Sequence, residues 1–360
     1  MKANLKVLFV GLLIVFIAVI LIKQRNDMQQ IHFVNNMGVG INIGNSLDST
    51  LLKGCVQNET VFDYETFWNN PVNTRQLYQT IKSCGFGTVR IPVTWDEHID
   101  ENGVIDDAWM GRVKEVVKFA LEADLYVILN THHESWIIPT PENEQACSER
   151  LIKVWQQIAE EFSETGQKLL FEGMNEPRLV SSQWEWTAGT QEMRRVVNRL
   201  NTDFIKTVRE SGGENAERYL LIGGYGTSYH QEALLDLSIP NDNKIIVSVH
   251  AYLPYEFALG NQQDFDLNSQ ADTKELSQLM TFLNRHFIKR NIPVIISEFA
   301  CGEKETMEEQ LAWTRFYTQN ATANGISYIW WDNGADFKLI DRREYYVTNK
   351  EQVEVLLGAS

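Results

Sequence analysis

Two glutamates stand at the ends of short apolar segments that are typical of buried strands. Glu176 follows the segment that begins at Leu169, and Glu298 ends the segment that begins at Ile292. A carboxylate at the end of a buried strand lies at the edge of a low-dielectric core, where neighbouring groups shift its pKa. Two such carboxylates can divide acid and base roles between them, and this is the arrangement that breaks glycosidic bonds.

Other polar residues follow the ends of neighbouring apolar segments. Arg90 either forms a salt bridge at the mouth of the fold or holds a carboxylate ionised for nucleophilic attack. His132, His133 and His250 each have a plain interpretation as core histidines bonded to backbone carbonyls. Three histidines at one edge favour a role in a site.

Several aromatic residues lie just past these strand ends. For each of them, packing within a loop and stacking on a sugar ring are both open interpretations. They are Trp95, Trp136, Trp184, Trp186 and Tyr255.

The elements that must position these residues alternate along the chain. Eight short segments rich in β-branched residues predict strands, and amphipathic segments around Trp109–Ala120 and Leu151–Phe162 predict helices between them. Eight strand and helix repeats with right-handed crossovers close most simply into a (β/α)8 barrel, which we predict as one domain over residues 31–360. The predicted strands are Val39–Gly44, Thr88–Val93, Tyr126–Asn130, Leu169–Glu172, Tyr219–Gly223, Ile245–His250, Pro293–Glu298 and Ser327–Trp331.

The first 30 residues have a different composition. An apolar run from Val7 to Ile22 follows Lys2 and Lys6, the layout of a signal peptide or a signal anchor, and a short polar tether comes after it. No small-x-small cleavage motif stands near Ile22, which favours an uncleaved anchor. We expect the N-terminal segment in the membrane and the body on the extracellular side of the cell membrane, or secreted.

The net charge and the cysteine pattern limit the possible binding partners and metal sites. A net charge of -16 argues against nucleic acid and anionic membrane surfaces and favours a neutral polymer. The four cysteines contain no C-x-x-C pair, which argues against structural zinc. The cysteines are either disulfide-bonded or free. We predict no cofactor, no metal and a monomer.

Over residues 37–357, the chain resembles family 5 glycoside hydrolases of clan A. It is most similar to the subfamily of bacterial endo-β-1,4-glucanases that includes xyloglucanases, lichenases and some xylanases. The segments that carry the resemblance are Gly40–Asp48, Gly85–Trp95, Ala108–Val117, Tyr126–Glu134, Phe171–Arg178, Ser248–Tyr252 and Trp331–Gly334. After Glu298 the chain departs from the usual pattern, because Ala300-Cys301 replaces Gly-Ala and places a thiol near the site.

The resemblance implies a β-1,4-glucan substrate and a role for each matching residue. Glu176 is implied to be the acid/base, Glu298 the nucleophile and Asn175 the ligand of the sugar 2-hydroxyl. Arg90 and Tyr252 are implied to hold Glu298. The resemblance further implies sugar contacts for His132, His250 and Trp331, and more weakly for Asn45, His133, Trp95 and Trp136.

The mechanism expected from this pairing is retaining hydrolysis, with the carboxyl groups about 5 to 5.5 Å apart. We expect Arg90 to lower the pKa of Glu298, and the charge of Glu298 to raise the pKa of Glu176. One alternative is a membrane-tethered glycan-binding protein without catalysis. Another is a metal hydrolase using His132, His133, His250 and Asp332, which we disfavour because adjacent histidines on a strand point to opposite sides.

Overall fold

The computed structural model describes residues 29–51, 54–55 and 59–358. Its centre is a closed barrel of parallel strands in which each strand pairs with the next and the last pairs with the first. All eight predicted strands are present, which confirms the predicted barrel. The strands are β1 (Gly40–Asn42), β2 (Thr88–Ile91), β3 (Tyr126–Asn130), β4 (Leu169–Glu172), β5 (Leu220–Ile222), β6 (Ile245–His250), β7 (Val294–Phe299) and β8 (Ser327–Trp330).

Helices cover the outside of the barrel. A two-stranded antiparallel ribbon of β9 (Ile340–Asp341) and β10 (Tyr346–Val347) follows β8. The helices are α1 (Val61–Thr66), α2 (Arg75–Ser83), α3 (Asp107–Glu122), α4 (Glu144–Glu161), α5 (Gln191–Glu210), α6 (Gln231–Leu235), α7 (Tyr255–Ala258), α8 (Gln270–His286), α9 (Met307–Ala323) and α10 (Lys350–Leu356).

Helix α3 shows how the sequence specifies these elements. The Asp106 side chain caps its first turn by accepting a hydrogen bond from the amide of Trp109. Trp109, Val113 and Val116 recur at helical spacing and are fully buried, as the sequence predicts. Each fully buried valine stabilises the packing by roughly 1.5 to 3 kcal/mol.

The lower interior of the barrel is apolar and is closed from below by the N-terminal segment. Residues 29–36 are helical, and Val34 and Met37 pack against inward side chains such as Ile128 and Leu170. A Cβ at Gly87 would lie 2.1 Å from the carbonyl oxygen of Met37, so only glycine permits this close approach.

The upper interior is polar instead. Asn42 pairs with Arg90 across β1 and β2, and Asn130 pairs with Glu172 across β3 and β4. All four side chains are fully buried. Buried polar groups need hydrogen-bond partners, and these four side chains find partners in one another: Arg90 bonds Asn42 and Glu172, and Asn130 bonds Glu172.

A register irregularity in β7 brings two consecutive side chains into this layer. The pairing of β6 with β7 shifts between Val249 and His250, and that of β7 with β8 shifts after Ile296. As a result the Ser297 hydroxyl lies 2.5 Å from the Ser248 hydroxyl, while Glu298 also reaches the barrel axis. Strict alternation would have sent one of the two outward.

The predicted apolar run Val7–Ile22 lies outside the described residues. Within the part of the chain that the structure describes, no helix combines the length and apolar character that a bilayer crossing requires. All four cysteines are described and carry free thiols. Cys301 is fully buried, and burial raises the pKa of its thiol to about 12, so it does not serve as a reactive group.

Candidate active site

Arg90 is the centre of the polar layer at the C-terminal end of the barrel. Its Nη1 donates to Glu298 Oε1 at 2.7 Å and to Asn42 Oδ1 at 2.9 Å. Its Nη2 donates to Asn175 Oδ1 at 2.8 Å. The planar guanidinium thus fixes residues from three different segments in one geometry.

Glu172 is the second anion on Arg90, and the sequence reasoning did not identify it. Its Oε2 accepts from Arg90 Nε at 2.7 Å and from Asn130 Nδ2 at 3.0 Å, and its Oε1 accepts from the Ser248 hydroxyl at 2.7 Å. The signal in the sequence was a charged residue as the last member of an otherwise apolar buried strand. Such a residue requires a buried partner.

Glu298 lies above Arg90 with both carboxylate oxygens in contact with donors. Besides Arg90 on Oε1, the Tyr252 hydroxyl donates to Oε2 at 3.0 Å. Only 5% of the residue is exposed. Two donors on a buried carboxylate leave it fixed in position, with one edge facing the cleft.

Glu176 faces Glu298 across His250. His250 Nδ1 lies 2.8 Å from Glu176 Oε1, and His250 Nε2 lies 3.5 Å from Glu298 Oε1. On its other side, Glu176 Oε2 accepts from Arg178 Nη1 at 3.1 Å. The imidazole therefore lies between the two carboxylates and contacts both.

The pKa values of Glu176 and Glu298 depend on more groups than the sequence indicates. Burial raises the pKa of Glu298, and the charges of His250 and Arg90 lower it only in part. Burial also acts to raise the pKa of Glu176, but the hydrogen bond and charge of His250, together with the charge of Arg178, outweigh it and leave that pKa below its ordinary value. The prediction that Arg90 favours the ionised form of Glu298 has the right sign. The prediction for Glu176 considers only the charge of Glu298, whereas His250 and Arg178 make the net shift of that pKa downward.

The two adjacent histidines lie on the same side of the site. Their ring centroids are 4.5 Å apart, and the His132 ring lies parallel to Trp331 at 5.8 Å. The prediction that His132 and His133 point to opposite sides was wrong, because β3 ends at Asn130 and strand alternation stops there. Burial lowers the pKa of His132 well below its usual value, so this imidazole is neutral.

Three residues that the resemblance more weakly implies as sugar contacts lie away from the cleft. Trp95 is fully buried and donates its indole N–H to the Asn130 carbonyl at 3.0 Å, so its ring packs in the core. Trp136 is half-buried, with the Arg150 guanidinium 5.4 Å from its ring centre. Asn45 has a left-handed backbone (φ 56°) and shapes the loop after β1. Of the residues that the structure describes, the cleft lining includes none of these three.

Asp332, one ligand of the disfavoured metal site, is bonded to other groups. The Asp332 carboxylate accepts from Arg342 and from the amides of Gly334 and Leu339, which uses both of its oxygens. Asp48 comes near the paired histidines instead, but its oxygens accept from backbone amides of its own loop. The donor set offers no free carboxylate there, and we assign no metal to it.

A cleft of about 650 Å³ opens above these groups. Glu176, Glu298 and Asn175 lie along it, as do the predicted sugar contacts His132, His250 and Trp331. Its outer part is lined by aromatic side chains, of which Trp186 is 64% exposed and Tyr255 is 57% exposed. An open groove with flat apolar rings above buried carboxylates suits a polymer of sugar rings.

Comparison with known proteins places the chain in a family. Residues 53–337 match the family described as Cellulase (glycosyl hydrolase family 5). The chain is 41% identical over 315 residues to Endoglucanase A of Ruminococcus albus, a match that covers 86% of this chain and 85% of that protein. It is 40% identical over 319 residues to Cellulase/esterase CelE of Acetivibrio thermocellus, covering 88% of this chain but spanning 38% of that longer protein.

A solved structure agrees with these matches. A GH5-4 broad specificity endoglucanase from Ruminococcus champanellensis with bound cellotriose superimposes with a TM-score of 0.86 at 37% identity, covering 91% of this chain and 97% of that one. The fold, the family match and the sequence identities agree, and the chain belongs to glycosyl hydrolase family 5.

Proposed function

We propose that the protein is a retaining endo-β-1,4-glucanase in which Glu298 is the nucleophile and Glu176 the acid/base. The observation that carries this proposal is the spacing of the two carboxylates. One oxygen of Glu176, one of Glu298 and a ring nitrogen of His250 lie within 4.8 Å of one another. Retaining enzymes hold their carboxyl groups about 5 to 5.5 Å apart, whereas inverting enzymes need about 6.5 to 9.5 Å to admit a water.

In the first step, a Glu298 oxygen attacks the anomeric carbon and forms a glycosyl ester as the bond to the leaving oxygen breaks. The proton of Glu176 goes to that oxygen, which departs as the sugar hydroxyl. In the second step, the oxygen of a water molecule attacks the anomeric carbon while Glu176 takes a proton from that water. The ester bond to Glu298 breaks, and the β configuration is restored.

The supporting residues have roles that follow from their contacts. Arg90 and Tyr252 donate to the two Glu298 oxygens and favour the ionised nucleophile. Arg90 also engages Asn175 Oδ1, which leaves the Asn175 amide group as the donor that faces a sugar hydroxyl in the cleft. A glucan in the cleft would exclude water from Glu176 and so raise its pKa toward the protonated state that the first step needs.

The form of the cleft supports a neutral glucan as substrate. A groove lined by Trp186, Tyr255 and Trp331 offers flat faces to successive sugar rings. The net charge of -16 disfavours densely charged polyanions such as nucleic acid. The similar structure that binds cellotriose supports β-1,4-linked glucose as the backbone.

We also propose that the segment Val7–Ile22 holds the enzyme at the extracellular face of the membrane, with one domain over residues 31–360. The apolar run behind two lysines and the absence of a cleavage motif support this location. Cell fractionation with N-terminal sequencing tests it. An N-terminus that begins past Ile22 in the culture medium would contradict anchoring.

The test of the activity is hydrolysis of carboxymethylcellulose, barley β-glucan, xyloglucan, xylan and mannan by the full chain. We expect cleavage of the first three, absence of cleavage by Glu298→Gln and Glu176→Gln, and unchanged cleavage by the surface variant Glu144→Gln. Proton NMR of the first product formed from cello-oligosaccharides should show the β anomer. Binding of these polymers without any hydrolysis would support the glycan-binding alternative, and cleavage of xylan alone would make the enzyme a xylanase.

A further inference from the structure

Arg178 is a charged residue in contact with Glu176 that the proposed mechanism does not use. Its Nη1 lies 3.1 Å from both Glu176 Oε2 and the Glu176 carbonyl oxygen. Its Nε lies 3.5 Å from Glu185 Oε1. The guanidinium therefore contacts Glu176 at two points, opposite the contact that His250 makes with the other carboxylate oxygen.

The Arg178 guanidinium is held in place by an exposed aromatic ring. Its central carbon lies 4.1 Å from the ring centre of Trp186, within the range of a cation–π contact. Trp186 lines the cleft and exposes 64% of its surface, so one part of its ring faces Arg178 and the rest faces solvent. An arginine on an aromatic face is fixed in both position and orientation.

The loop that carries both residues is itself anchored to the barrel. The Tyr225 hydroxyl accepts from the Leu179 amide at 2.8 Å and donates to the Trp184 carbonyl at 3.2 Å. A Cβ at Gly189 would lie 2.9 Å from the Tyr225 ring, so the end of the loop packs closely on the same tyrosine. The loop is therefore a supported part of the site.

We propose that Arg178 is a positioning residue that holds the Glu176 carboxylate at the leaving oxygen, and that Trp186 fixes Arg178 for this task. This inference rests on the proposed function, because Glu176 is the acid/base in it. Arg178 acts through Glu176 and not on the sugar. Proton donation is efficient only when the carboxyl is within hydrogen-bond reach of the departing oxygen.

The charge of Arg178 also affects the pKa of Glu176, and this effect distinguishes a positioning residue from a purely structural one. A cation next to a carboxylate favours its ionised form and lowers its pKa. The other groups that face Glu176 are His250 from β6, His133 from the loop after β3, Glu298 from β7, and Tyr252 from the loop after β6. Arg178→Gln keeps these four side chains and releases the Glu185 carboxylate, the other partner of Arg178, whose charge acts on the pKa of Glu176 in the same upward direction.

Arg178→Gln should therefore change both the rate and its pH dependence. Because the cation lowers the pKa of Glu176, its removal raises that pKa, and the alkaline limb of kcat/KM should move upward by about 1 pH unit. Arg178→Lys keeps the charge but loses the planar contact with Trp186. We expect the alkaline limb of its kcat/KM profile at the wild-type pH, with a lower kcat. The matched control is Arg195→Gln, which removes a surface arginine paired with Glu144. Its kcat and the pH of its alkaline limb should equal those of wild type.

Leaving-group dependence provides a readout that a structural role would not change. With 2,4-dinitrophenyl β-cellobioside the leaving group departs without protonation, so Arg178→Gln should keep near wild-type kcat/KM. With phenyl β-cellobioside, which needs the proton, we expect a loss of about 10- to 100-fold. Trp186→Ala should show part of the same dependence, and Trp186→Phe should show less. Equal losses on both substrates for Arg178→Gln would overturn the proposal.

A titration of Glu176 separates this inference from the activity on which it rests. Carboxyl-carbon NMR of full-length protein labelled at glutamate Cδ measures the pKa of Glu176 whether or not any glucan is cleaved. A higher Glu176 pKa in Arg178→Gln than in Arg195→Gln and wild type supports the contact. An unchanged Glu176 pKa overturns the proposal, whereas an inactive wild type with the shifted pKa would overturn the proposed function alone.

Discussion

Replacing Glu172 by alanine would remove one of the two anions that balance Arg90 inside the barrel. Glu172 and Arg90 are both fully buried. Glu172 accepts from Arg90, Asn130 and Ser248 at distances between 2.7 and 3.0 Å, and alanine would leave these donors without their acceptor. Loss of one partner from a buried ion pair costs roughly 3 to 5 kcal/mol, because the remaining charge stays in a low-dielectric environment. Glu172→Gln retains the shape and an acceptor for Arg90, and should cost roughly 1.5 to 3 kcal/mol.

The assay is urea unfolding followed by tryptophan fluorescence, with the free energy of unfolding obtained from transitions of equal slope. Glu144→Ala is the control, because Glu144 pairs with Arg195 at the protein surface and its loss should change stability little. If Glu172→Ala is no more destabilising than Glu144→Ala, the buried ion pair does not stabilise the barrel. A ranking with Gln more destabilising than Ala would equally refute the reasoning from unsatisfied donors.

Three further predictions concern the cleft. Tyr252→Phe removes the donor on Glu298 Oε2, so the pKa of Glu298 should rise. The acid limb of kcat/KM should therefore move to higher pH, and kcat should fall about 10-fold. An unmoved acid limb would contradict the role of the hydroxyl. Gly44→Ala would place a Cβ 2.6 Å from the Trp331 ring and displace it, so KM for cello-oligosaccharides should rise several-fold while the unfolding midpoint changes less; an unchanged KM would argue against sugar contact by Trp331. Azide should restore turnover to Glu298→Ala and give the α-glycosyl azide as product, whereas a β product would exclude direct attack in the vacated position.

The fold could be predicted because its signals are local. Each strand is a short β-branched segment, and each long helix repeats apolar residues at intervals of three and four, as Trp109, Val113 and Val116 do. Parallel strands end at the same edge of the barrel, so the polar residues that follow them are expected to lie together on the strength of the sequence alone. Glu176 and Glu298 meet in the cleft for this reason.

Features that depend on several segments at once could not be predicted in this way. Glu172 looks like the end of a strand, and only the position of Arg90 on another strand shows that the two form a pair. The pKa order of the carboxylates depends on His250 and Arg178, whose side-chain directions follow from loop geometry and not from periodicity. Alternation also failed for His132 because the strand ends two residues earlier.

The loop aromatics show the same limit. Trp95 and Trp186 both follow strand ends, and composition gives no reason to separate them. In the structure the first is fully buried and the second is 64% exposed at the cleft. The difference arises from which way each loop folds over the barrel, and that depends on partners such as Asn130 and Tyr225 elsewhere in the chain.

The central claim is that Glu298 forms a covalent bond to the sugar. The most direct measurement is inactivation of the enzyme by 2,4-dinitrophenyl 2-deoxy-2-fluoro-β-cellobioside, followed by mass spectrometry of the intact protein and its peptides. We predict one added fluorocellobiosyl group, located on Glu298, and loss of activity in step with labelling. Hydrolysis of glucan by an enzyme that accumulates no such adduct and releases the inverted anomer, or an adduct on a residue other than Glu298, would contradict the account.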